Sequence, residues 1–135
     1  MVGVKVTEDI EHRQSFLKVP YKCLMSVQKA RDHEVLGKLI RENPLLFNED
    51  CSHDWEQLIL FTFIIYEFQK GEESFWWPYL DLMPDFEFFC DWPEKEVFNV
   101  QDYGLIFHAL DYKKEMQKEY NAMNQLFKKY PDIFP

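Results

Sequence analysis

The stretch from Leu58 to Tyr66 sets the tightest limit on what this chain can fold into. Leu58, Ile59, Leu60, Phe61, Phe63, Ile64, Ile65 and Tyr66 are apolar, and only Thr62 interrupts them. Wound as a helix, they cover nearly the whole circumference, and a helix that is apolar all round must be enclosed by other elements. Ser52 or Asp54 can cap its start and Gly71 its end, so the sequence predicts a helix running to about Gln69. Phe61 and Ile65 are expected in its interior. The run is far short of the roughly 20 residues a membrane helix needs, so no membrane association is expected.

A chain of 135 residues suits one domain built around that helix. On the N-terminal side, Gly3-Val4-Lys5-Val6 and Ser15-Phe16-Leu17-Lys18-Val19 alternate apolar with polar residues as half-buried strands do. Pro20 ends the second, and a β-hairpin is predicted. Ser26 can cap a short helix near residues 27–31; a second over 34–41 is broken by Asn43-Pro44. Beyond the central helix, residues 83–93 read as a loop, and Pro93-Glu94-Lys95-Glu96 as a first helical turn. A last helix is predicted from about Gln101 to Lys129, with a stripe of Ile106, Leu110, Met116, Tyr120, Met123, Phe127 and Tyr130 facing the core. The fold class is therefore α+β and mostly helical, a short N-terminal β-hairpin followed by helices.

Charge narrows the partners. From Glu42 to Asp102 fifteen acids face two bases, a net −13, whereas the flanks carry +4 within a total of −9. An acidic middle repels phosphate backbones, which argues against nucleic acid and in favour of a basic peptide or protein partner. Cys23, Cys51 and Cys90 show no paired spacing, and the N-terminus has no apolar signal core, so the expected location is intracellular, cytoplasmic or nuclear. Cys51 and His53 have no second metal-binding pair, and the acids between Asp81 and Glu96 lack the spacing of a calcium loop. With four glycines and no Gly-rich loop, nucleotide hydrolysis is excluded. Residue chemistry alone names no reaction.

The segment Ser74-Phe75-Trp76-Trp77-Pro78-Tyr79-Leu80, after an acidic loop and before Pro84, packs four aromatics into seven residues. It resembles the Ser-Phe-Trp-x-Pro-Tyr-Leu segment of SET-domain protein methyltransferases of the RuBisCO large-subunit methyltransferase type, with the actin-histidine methyltransferases most similar. Gly3 to Ile10 and Phe16 to Val27 resemble the opening of a SET domain, and residues 45–130 its helical insert, the i-SET. The resemblance implies SET strands over residues 1–27 and an i-SET-like region over 28–135. It implies S-adenosylmethionine as cofactor, with Val2 and Gly3 beside it. Gly3 stands as the second glycine of a Glu-x-Gly-x-Gly turn in which Met1 occupies the position of the first glycine and the Glu is missing. It also implies methyl transfer to a lysine or histidine of a protein substrate. The family's Asn-His pair and catalytic Tyr, which belong to the C-terminal SET portion, are not among the 135 residues. The chain is therefore expected to be a fragment, inactive alone; the alternative is a non-catalytic interaction module. Adjacent Trp76 and Trp77 point in different directions, and Trp77, where the family varies, is expected at a substrate groove.

Overall fold

The computed structural model describes residues 5–49, 54–84 and 88–135. Among them lie seven α-helices: α1 Val27–Asp32, α2 Glu34–Glu42, α3 Pro44–Phe47, α4 Trp55–Gln69, α5 Trp77–Leu80, α6 Glu94–Asn99 and α7 Tyr103–Lys129. Short 3₁₀ turns sit at Tyr21–Cys23, Gly71–Glu73 and Phe89–Asp91. Helix starts follow side-chain chemistry. Ser26 accepts from the Lys29 N–H, Asp54 from Gln57 and Asp102 from Leu105, each satisfying an otherwise orphan donor. Gln101 takes a positive φ of 59°, which keeps it outside α7, so that helix starts at Tyr103 and not at Gln101. Gly71, at φ 56°, turns the chain out of α4. Among the described residues no helix is long and apolar enough to cross a membrane.

The expected β-hairpin is not seen: among the described residues no strand occurs, and their regular structure is all helical rather than α+β. Gly3 and Val4 of the first expected strand lie outside the described residues. The second expected strand leaves Phe16 75%, Leu17 69% and Val19 49% exposed. Alternation marks a face that could be buried, but a lone two-stranded hairpin is marginal without a surface to cover that face.

The main core joins α1, α2, α3 and α4 to the C-terminal end of α7. Ala30, Leu36, Leu39, Phe47, Leu58, Ile59, Phe63 and Leu126 are its deepest members, and Phe134 folds back from the tail to join them. Gly37 lets α2 approach α1 closely: a Cβ there would stand 2.1 Å from the Arg31 carbonyl oxygen. Asn43 ties α2 to the end of α7, donating to the Leu39 carbonyl and to Tyr130 Oη at 2.9 Å, while Lys129 donates to its Oδ1. Val97 and Ala109 are buried away from this core, where α6 and the Phe89–Asp91 turn pack on the front half of α7. Helix α7, about 40 Å long at 1.5 Å per residue, therefore spans two clusters. Of its expected core stripe, Met123 is buried but Tyr120 is exposed.

Helix α4 is less enclosed than its composition suggests. Its buried face is Leu58, Ile59, Thr62, Phe63 and Glu67. Phe61, expected inside, is 38% exposed, and Ile65 is only half-buried. The two polar residues take the inner positions because each has a partner there, and Thr62 Oγ1 donates to the Leu58 carbonyl at 2.7 Å. Truncating Phe63 to Ala is expected to cost about 3–5 kcal/mol in chemical denaturation. Phe61→Ala is expected to cost no more than about 1 kcal/mol. Equal losses would place the buried face of α4 wrongly.

Candidate functional site

The aromatic segment after α4 is held by one buried carboxylate. Glu67 is 2% exposed, and a charge so far from water needs partners on both oxygens. Lys70 binds Oε1 as an ion pair, and Ser74 Oγ donates to Oε2 at 2.7 Å. The same Ser74 oxygen accepts the Trp76 backbone N–H at 3.1 Å. A single hydroxyl thus joins the end of α4 to the start of the aromatic run. Trp76 then packs edge-on against Phe63 at 5.1 Å and against Phe75 at 5.3 Å. Its indole Nε1 is buried without a hydrogen-bond partner. Pro78 lies in the first turn of α5, where a missing N–H costs nothing, and not at a turn between two helices.

Two cations complete the arrangement. The Lys29 ammonium donates to the carbonyls of Tyr21, Lys22 and Leu24 at 2.7–2.8 Å, using all three of its protons. It also stands 5.0 Å from the Tyr21 ring and 5.5 Å from the Trp76 ring. Residues 21–24 are thereby pinned to α1 and to the aromatic segment. Lys70 lies 4.2 Å from the Tyr66 ring, and Tyr66 meets His33 edge-on at 5.1 Å. His33 sits between α1 and α2, and its Nδ1 accepts the N–H groups of Val35 and Leu36, so a neutral imidazole caps α2. Burial, and then the nearby Lys70 charge, hold its pKa below the usual 6.5, against the opposing pull of Glu67 and Glu34.

The residues singled out from sequence are spread differently. Val2 and Gly3 lie outside the described residues, as do Cys51 and His53. Trp77 opens α5 half-buried, its ring tilted on Phe68 at 5.6 Å, and Phe68 is 53% exposed. Trp76 and Trp77 point apart, one to the core and one along the outer face of α4. Among the described residues no three His, Cys, Asp or Glu side chains gather as a metal site requires. Sequence reasoning missed Glu67, Lys70, Lys29 and His33. A glutamate at the end of an apolar run, with lysine three and serine seven positions on, is the one signal that points to them. As a group these side chains form a frame. Their charged groups and the Ser74 hydroxyl are engaged in holding backbone or one another.

Two measurements check this frame. Ser74→Ala leaves a buried carboxylate oxygen and a backbone N–H unpaired and should cost about 1–3 kcal/mol, whereas the surface change Glu72→Ser should be near neutral. For His33 the sign follows from the depressed pKa. The unfolded chain binds the proton more readily than the folded one, so the contribution of His33 is complete above pH 6.5 and is lost as pH falls through the lower folded value. Thermal unfolding should therefore show a fall in stability below pH 6.5 that flattens in His33→Asn, because asparagine caps without titrating. An unchanged pH profile in that variant would remove His33 from the frame.

No family model matches the chain, and no solved structure matches it significantly. Curated proteins do. Over 130 residues, 96% of the chain, it is 26% identical to the actin-histidine N-methyltransferases of Canis lupus familiaris, Mus musculus and Homo sapiens. The chain spans about a fifth of the length of these relatives. It is thus similar, along nearly all of its own length, to one part of a protein methyltransferase.

Proposed function

We propose that this chain supplies the N-terminal frame of a SET-type, S-adenosylmethionine-dependent protein N-methyltransferase, acting inside the cell on a lysine or histidine side chain of a protein. Residues 1–27 would enter the SET portion and residues 28–135 the helical insert. The observation that carries this reading is the similarity to actin-histidine N-methyltransferases over 130 residues. The joining of the Ser74–Leu80 segment to residues 21–24 through Trp76 and Lys29 supports it, because both stretches carry the resemblance. When bound, the cofactor supplies an electrophilic methyl group that a substrate nitrogen takes by direct displacement, a step that gains most from alignment. On this reading the cofactor is held by residues outside those described, Val2 and Gly3 among them. The described residues contribute rigidity and no chemical group.

A second reading, a non-catalytic helical interaction module, is favoured by the exposed aromatics around α6 and the front half of α7, Phe88, Phe98, Tyr103 and Phe107 among them. One pair of measurements separates the two. The polypeptide carrying this sequence, isolated from its native cells, is expected to transfer labelled methyl groups from S-adenosylmethionine to a protein. Residues 1–135 alone are expected to show neither transfer nor micromolar cofactor binding by calorimetry. Absence of transfer by the native polypeptide would sink the methyltransferase reading, and tight cofactor binding by residues 1–135 would sink the assignment of a frame.

A further inference from the structure

A globular monomer of 16.5 kDa exposes about 7,500 Å², whereas this chain exposes 11,038 Å². One exposed apolar surface is a groove between the Phe89–Asp91 turn and the front half of α7. The groove is shallow and open, about 470 Å³, and Phe88, Phe89, Leu105, His108, Tyr112 and the carboxylates Asp111 and Glu115 line it. Phe88, Leu105 and Tyr112 are more than half exposed. Local contacts shape its walls: Asp91 accepts the Phe88 N–H at 3.2 Å, Trp92 packs edge-on against Phe89, and Asp102 caps α7 just before Leu105.

We propose that this groove docks a basic amphipathic helix of a partner protein, whichever of the two readings above holds. Charge selects the occupant. Asp111 and Glu115 lie one helical turn apart and both line the groove, where the other titratable side chains of the lining are His108 and Tyr112; Lys113 and Lys114 are not part of the lining. Glu115 is engaged by Lys118 at 3.8 Å across open solvent, a pair that an incoming lysine can displace. One turn further, Glu119 Oε2 is shielded from water and has no hydrogen-bond partner. Two carboxylates beside an aromatic floor suit apolar side chains at three- and four-residue steps flanked by lysine or arginine. A second copy of this chain is disfavoured, because each copy carries −9 and would meet the other through like-charged carboxylates.

The test is fluorescence anisotropy of a labelled peptide of leucine and lysine, spaced so that the leucines share one helical face, titrated with residues 1–135. The comparison peptide replaces every lysine by glutamate. The lysine peptide is expected to bind at least about tenfold more tightly than the glutamate peptide, and more weakly as salt rises. The exposed double variant Asp111→Lys, Glu115→Lys, with its helical circular dichroism intact, should weaken binding at least about tenfold. Tyr112→Ala should weaken it independently of charge. Equal binding of the two peptides, no binding of either, or indifference to all three substitutions would overturn the proposal. So would concentration-dependent dimers in sedimentation equilibrium that the double variant abolishes, since the occupant would then be a second copy.

Discussion

Much of this fold turns on a single carboxylate that cannot reach water. Glu67 ends the buried face of α4, and its two oxygens must both be satisfied where they lie. Lys70 supplies one partner, but the other comes from Ser74, and the chain has to reverse to bring it back. Gly71 makes that reversal possible with its positive φ. Once Ser74 is fixed, its hydroxyl also holds the Trp76 backbone, and the indole is carried onto Phe63. The face of the indole then meets Lys29, which gathers three carbonyls of residues 21–24. A charge at one end of a helix thereby fixes the position of a segment more than forty residues earlier in the chain.

The sequence shows most of the helices because their signals are local. Ser26, Asp54 and Pro93 mark starts, and Asn43-Pro44 and Gly71 mark ends, each by a property of one or two residues. What it hides depends on partners far along the chain. Apolarity marks Phe61 for the interior of α4 and Thr62 as an interruption, yet Thr62 satisfies its own hydroxyl within the helix and is buried, while Phe61 is not. The same apolar run draws attention away from Glu67, whose burial makes sense only with Ser74 and Lys70 in place. Alternation over Ser15 to Val19 suggests a strand, but no described element offers a ladder to pair with it.

The candidate site is legible to a different degree. The Ser74–Leu80 segment stands out by composition alone, and its resemblance to a methyltransferase segment agrees with the similarity found over 130 residues. What composition does not convey is that the serine, and not an aromatic ring, anchors it. The groove beside α7 is less visible still. Phe88, Leu105 and Tyr112 come from two stretches separated by α6, and only their meeting makes a concave surface.

Helix α7 has a consequence for how the molecule comes apart. Its last turns belong to the main core through Met123 and Leu126, and its first turns to the smaller cluster through Ala109. Between them most side chains from residue 111 to residue 121 face solvent, so one rod of backbone hydrogen bonds is the principal link between two separately buried centres. Cooperativity in a protein travels through shared buried surface, and here little is shared. The smaller cluster can therefore melt while the main core stays folded, with α7 fraying from its first turn back toward Met123. The smaller cluster would then behave as an adaptable arm on a stable base, ordered by whatever it grips.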